Sequence, residues 1–240
     1  MRTQIFATAA VMLGVTASQA APVNPTFDVF GDLPQATFGG TDIPTDPTAI
    51  TTFNGFGDDI VTLGLSATQR FNNPPLANDG AGTYTALIGS NDGAPGSNSG
   101  LIGATWNFNF FVDIDGTSGS TIADYGIQLL YDFDPGADTE QSDLGVLAFS
   151  SLLGFSVESS QNLNFDFLTV PGPISFVGSI ATPTFGPFDP SAEGEYSFLL
   201  QSTQFDDGSV AINVEAVPLP GAAALLLAGL GGLLLFRRRA

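Results

Sequence analysis

Short runs in which apolar and polar side chains alternate dominate the middle of the chain. Around residues 104–114, Trp106, Phe108, Phe110 and Val112 share one face while Asn107, Asn109 and Asp113 share the other. Leu163, Phe165 and Phe167 oppose Asn164 and Asp166. Tyr196, Phe198 and Leu200 make a third row, and Val210, Ile212, Val214 and Ala216 a fourth. Two is the period of a strand, and a strand with one polar face belongs to an antiparallel sheet covered on one side. Turn-forming clusters separate the runs: NNPP, NDGAG, NDGAPGSNSG, DGTSGS, DPGAD, PGP and FDDGS. The pattern predicts an all-β fold, an antiparallel β-sandwich that is jelly-roll-like or immunoglobulin-like, of roughly 9 to 12 strands. Residues 144–157 (LGVLAFSSLLGFSV) fit a buried helix by length and a buried strand pair by composition, and the pattern leaves both open.

The sandwich is expected over residues 60–216 as one domain. Residues 21–59 are rich in Pro, Gly, Thr and Asp with scattered phenylalanines, and read as irregular chain with one or two short strands. Two different segments flank this body. At the start, Arg2 precedes an apolar run over residues 5–15 and then small residues, with Ser18 and Ala20 placed for cleavage before Ala21. The run is too short to span a bilayer, so residues 1–20 read as a secretory signal peptide. At the end, residues 221–236 carry no charged or polar side chain, and Arg237, Arg238 and Arg239 follow at once. As a helix this stretch would run roughly 24 Å against the ~30 Å hydrocarbon core. Pro218 and Pro220 set a sharp start to it, and the arginines stay on the cytoplasmic side as a stop-transfer anchor.

Charge narrows the partners. Between residues 21 and 217 stand 24 carboxylates and the single cation Arg70, a formal charge of −23, with no Lys or His anywhere. A nucleic acid or an anionic lipid surface needs a basic face that this body cannot build. The absence of Cys removes disulfides, thiolate metal sites and thiol nucleophiles together. Without His and Cys the common nucleophile–base pairs and the usual zinc shell are missing too, and an enzyme is not expected.

The order of parts in residues 217–240 resembles the PEP-CTERM class of sorting signals of Gram-negative bacteria. That class has a short Pro-x-Pro motif, an apolar helix and a terminal arginine cluster. The likeness is to the VPLPA variant, through Val217, Pro218, Leu219 and Pro220. Leu219 stands where the parent motif has Glu, and Gly221 where the variant usually has Ala. The resemblance implies recognition by an exosortase, a membrane-embedded cysteine transpeptidase, which cuts near the motif. The protein would pass through the inner membrane to the cell surface or extracellular matrix, where such proteins accompany exopolysaccharide and biofilm production. Residues 123–135 (ADYGIQLLYDFDP) and 188–200 (FDPSAEGEYSFLL) also look like segments of other sorted sandwich ectodomains, and bring no known ligand with them.

The densest acidic stretch is DFDPGADTEQSD. Counting Asp132 as position 1 of a twelve-residue calcium loop, Asp134, Asp138, Glu140 and Asp143 fall at 3, 7, 9 and 12. Ala137 stands where that loop needs Gly, Gly136 offers no side-chain oxygen, and the flanks read as strand rather than helix. The alternative is a solvated acidic turn. Asp113, Asp115 and Gly116, and likewise Asp206, Asp207 and Gly208, read as turns in which Asp-Gly favours positive φ. Trp106 and the tyrosines Tyr84, Tyr125, Tyr131 and Tyr196 are candidates for stacking on sugar rings, although Trp106 shares its row with Phe108 and Phe110 and is better placed for burial. Asn107 and Asn109 offer amides to a glycan from the other face.

Three functions follow as expectations. The first is a structural or adhesive surface component meeting exopolysaccharide, directly or through calcium. The second is a calcium-dependent, lectin-like glycan-binding module. The third, less favoured, is a secreted glycosidase working through a carboxylate pair.

Overall fold

The computed structural model describes residues 22–219 except 72, 92–102 and 175–176, together with Gly221. The signal-peptide junction Ala20–Ala21, Pro220, and Arg237, Arg238 and Arg239 lie outside the described residues, as does nearly all of the apolar stretch.

Among the described residues the chain forms fifteen strands. In order they are β1 (Val29–Gly31), β2 (Thr48–Asn54), β3 (Ile60–Gln69), β4 (Ala77–Asn78), β5 (Thr83–Leu87), β6 (Ser90–Asn91), β7 (Gly103–Ala104) and β8 (Trp106–Asp115). There follow β9 (Ile127–Tyr131), β10 (Gly145–Ala148), β11 (Ser156–Gln161), β12 (Gly172–Ile174), β13 (Gly178–Ala181), β14 (Gly194–Ser202) and β15 (Ser209–Val217). One short helix, α1 (Asp166–Thr169), lies between β11 and β12. The small sheet has the order β1-β2-β3-β8-β11, the large sheet β12-β13-β10-β9-β14-β15-β5-β4, and β6 and β7 form a separate ribbon. All pairings are antiparallel except β5 with β15, which run parallel. This is the expected sandwich, with that one parallel seam in the large sheet.

The alternating rows supply the core. From the small sheet come Leu63 and Leu65 of β3 and Trp106, Phe108 and Phe110 of β8; from the large sheet, Tyr131, Phe198, Leu200 and Ile212. Phe108 and Phe198 stack across the layers with ring centres 4.7 Å apart. Each such buried side chain contributes on the order of 1.5–3 kcal/mol of transfer free energy.

Residues 22–59 belong to this sandwich rather than preceding it. β1 and β2 form one margin of the small sheet, with β2 paired to β3 from Ala49↔Leu65 to Asn54↔Ile60. The rest of the segment wraps both outer faces. Val23 covers Leu130, Leu199 and Ala211 on the large sheet, and Thr26 exchanges backbone hydrogen bonds with Ala211 of β15. After β1, Leu33, Ala36 and Phe38 cover Phe111 on the small sheet. Scattered apolar residues without a period are what such a strap needs, because each one fills a separate gap.

Two stretches depart from the alternation. Residues 144–157 form the strand β10 and the beginning of β11, which lie in different sheets, so the helix alternative is set aside. Residues 162–169, which alternate like a strand, form a turn and α1 instead. The cause is Asn162, whose side-chain oxygen accepts the Asn164 amide at 3.1 Å while its backbone carbonyl accepts that of Phe165. An Asn-initiated turn of this kind competes directly with strand pairing. Leu163 and Leu168 are buried as a result, and Phe167 is left partly exposed.

Candidate functional site

The acidic stretch leaves β9 at its end. Asp132 is buried, with its carboxylate accepting the Asp134 amide at 2.8 Å and the Ser197 amide at 3.4 Å. Burial pushes its pKa up to about 6, against the pull of these amides and the Thr139 hydroxyl. Asp134 is half-buried and accepts the Gly136 amide at 2.8 Å. Asp138 adopts a positive φ of 61° and its amide points to Glu195. Glu140 bridges to Pro22 through the backbone, and Asp143 accepts the Thr184 hydroxyl at 3.1 Å. The carboxylates of Asp132, Asp134 and Asp143 thus each accept from a different set of partners, with Ser197 and Thr184 reaching in from elsewhere in the chain. Among the described residues no group of three or more acidic side chains is placed to hold a metal ion.

The expected sugar platform is occupied by the core. Trp106 and all four tyrosines are buried. The hydroxyl of Tyr84 donates to Pro47 O at 3.0 Å, that of Tyr131 to Leu168 O at 2.7 Å, and that of Tyr125 to the Asp59 carboxylate at 2.8 Å. Asn109 is buried as well and donates to the Ser66 and Thr68 hydroxyls. Asn107 donates to Ser160 and accepts from Asn162. Asn109 is thus no surface amide, while Asn107 is half-buried with both ends of its amide already in use. Asp115 and Gly116 do form a turn, but the glycine is needed for close approach rather than for positive φ. A Cβ there would stand 2.6 Å from the Asp59 Cα. Asp59 is held below the usual carboxylate range, first by the Ser118 hydroxyl, then by Tyr125 and the Ser118 amide, against the opposing effect of burial.

Arg70, the one cation among the described residues, is also inside. It is buried, with its guanidinium 4.8 Å from the Phe71 ring centre and 5.4 Å from that of Phe165. Gly103 leaves room for it, since a Cβ there would come within 2.1 Å of Nη1. The described surface therefore offers no basic group to an anionic partner.

Two surface features were not singled out from the sequence. Beside the chain's exit, Glu193, Glu195 and Glu215 line a groove of about 350 Å³ that reaches Val217 and Pro218. Glu195 and Glu215 are cross-strand partners in β14 and β15. Like charges so placed repel each other and attract cations. Glu193 and Glu195, two apart in the sequence, were the available signal, but the antiparallel register with Glu215 was not readable. The second feature is an apolar cleft of about 350 Å³ beside β11, lined by Phe110, Leu147, Phe149, Val157 and Ile174 among others. Of the sorting motif itself, Val217 ends β15, while Pro218 and Leu219 are exposed, Leu219 to 67%. No described helix is long and apolar enough to cross a membrane. Comparison with protein-family models, curated proteins and solved structures gives no match.

Proposed function

We propose that the protein is an exported, exosortase-sorted component of the cell surface or extracellular matrix of a Gram-negative bacterium, with a structural or adhesive role beside exopolysaccharide. The signal peptide over residues 1–20 sends it across the inner membrane. The apolar run and Arg237, Arg238 and Arg239 hold it there until an exosortase-like transpeptidase cuts near residues 217–221. The acidic sandwich then meets glycan, directly or through bridging calcium. The observation that carries this reading is the fixed order of Val217, Pro218, Leu219 and Pro220, the uncharged run, and the arginine triplet in an otherwise acidic chain. The exposure of Pro218 and Leu219 where β15 ends supports it, because a transpeptidase needs its motif clear of the folded body. A plain membrane anchor has no need of the Pro-Leu-Pro element.

Replacing Arg237, Arg238 and Arg239 together by Gln in the native producer tests the tail. The expected result is loss of the protein from the matrix and medium fractions. Unchanged recovery there would contradict the proposal.

A further inference from the structure

The docked chain begins immediately after the expected cleavage junction. Counting from the Ala20–Ala21 bond, Pro22 is the second residue on the mature side. It already forms a bridge to Glu140. Val23 is 6% exposed, sealed over Leu130, Leu144, Leu199 and Ala211 on the outer face of the large sheet. Its amide donates to Thr139 O at 3.3 Å, and its carbonyl accepts the Ser197 hydroxyl at 3.4 Å.

The next residues are fixed as firmly. β5 pairs with β15 only from Asn213 to Val217. Thr26 takes up the edge of β15 that β5 leaves, giving its amide to Ala211 O at 3.0 Å and accepting the Ala211 amide at 2.8 Å. Pro25 and Phe27 lie over Gly82 at the head of β5, where a Cβ would stand 2.7 Å from Pro25 Cβ and 2.8 Å from Phe27 Cε1. The Phe27 ring centre is 5.5 Å from that of Phe30, which lies 5.9 Å from that of Tyr84. Residues 22–27 are thus held by the turn before β10, by β14, by β15 and by the start of β5.

A peptidase takes its substrate as an extended segment on both sides of the bond it cuts, and does so through the backbone. Fewer than two residues, roughly 7 Å of chain, separate the Ala20–Ala21 bond from the start of Pro22's neighbour in the docked strap. The backbone of Val23 is already in use, and the folded sandwich stands where the walls of the peptidase cleft must go. Docking and cutting therefore compete for the same residues.

We propose that residues 22–27 form a latch over the cleavage junction: the bond before Ala21 is cut while they are undocked, and docking afterwards closes the outer face of the large sheet. The inference rests on the signal-peptide reading of residues 1–20. In the cut, water adds across the peptide bond and leaves a carboxylate on Ala20 and an ammonium on Ala21. A route that carries the chain unfolded delivers an open junction, whereas a chain folded before crossing presents a covered one. While the latch is open, Leu130, Leu199 and Ala211 lack the cover of Val23, and the edge of β15 at Ala211 lacks Thr26. The strand that leads into residues 217–221 is therefore completed only after the first cut.

The test uses the full chain in a mild detergent with a purified bacterial signal peptidase, and follows cutting before Ala21 by mass spectrometry. The folded chain is compared with the same chain diluted from urea straight into the peptidase. The folded chain is expected to be cut at least about tenfold more slowly, which corresponds to a latch closed about nine-tenths of the time. Val23→Asp puts a charge into the apolar site, and Thr26→Pro removes the amide given to Ala211. Each is expected to restore most of the fast rate in the folded chain while Phe198 stays protected from amide exchange. Equal rates for the folded and freshly diluted chains overturn the latch and leave the signal peptide in place. So does slow cutting of the folded chain that neither variant relieves, which would put the block elsewhere. No cutting before Ala21 under any of these conditions overturns the signal-peptide reading and the latch with it.

Discussion

Asp132 and Asn162 are both polar and both buried, yet they act on stability in opposite directions. Asn162 makes five hydrogen bonds: its oxygen accepts from the Ala104 and Asn164 amides, and its nitrogen donates to Ala104 O, Trp106 O and Asn107 Oδ1. It thereby ties the turn after β11 to β7 and the start of β8. Asn162→Ala would orphan several buried groups at once, and is expected to cost about 2–4 kcal/mol in urea unfolding. A loss below about 0.5 kcal/mol would show that water replaces the amide there. Asp132 carries the opposite sign. Because burial raises its folded pKa to about 6 from the ordinary aspartate value of 3.8, the folded state holds the proton more tightly than the unfolded one. Stability then falls as pH rises through that window, and the ionised carboxylate costs roughly 2–3 kcal/mol above it. Asp132→Asn keeps an acceptor for the Asp134 amide and cannot titrate. Relative to wild type it is expected to gain stability steadily from pH 4 to pH 6, a difference that parallel unfolding series across this window would reveal. A constant difference would assign the titration to another group.

At the scale of elements, the strap depends on Glu158. Burial of this β11 carboxyl opposes ionisation, but the Thr37 hydroxyl and the amides of Thr37, Phe38 and Gly39 together hold its pKa below the usual range. Its stabilising effect is present above the unfolded pKa and lost as pH falls through the folded one. Glu158→Gln should cost about 1 kcal/mol at neutral pH and speed amide exchange at Phe38 far more than in β8. Uniform acceleration would mean that the strap has no separate opening. Which elements were legible follows the same physics. The rows of β8, β14 and β15 were readable because every second side chain enters the one core between the sheets, although their outer faces are partly covered as well. The region after β11 was not, because one Asn side chain outcompetes strand pairing there without altering the apolar spacing. The strap was readable only as irregular chain, since its contacts at Val23, Leu33 and Phe38 are long-range and leave no period. The acidic stretch had suitable spacing for a calcium loop, but Asp132 is buried, Asp134 accepts the Gly136 amide of its own turn and Asp143 accepts the distant Thr184 hydroxyl, and spacing carries no information on direction.

At the scale of the whole molecule, charge is distributed so that the core and the exit groove do different things. The single inner cation Arg70 is placed against two aromatic rings. The glutamates beside Val217 and Pro218 mark the point where the sandwich ends and the tail begins. That junction is where the account of function is decided. Its most direct test is peptide mass spectrometry of the mature C-terminus, on protein taken from the native producer's surface and medium. The account predicts a chain that ends near residues 217–221, with the apolar run and Arg237, Arg238 and Arg239 removed. Recovery of the intact tail through Ala240 would contradict it, and would make the protein a permanently anchored periplasmic domain.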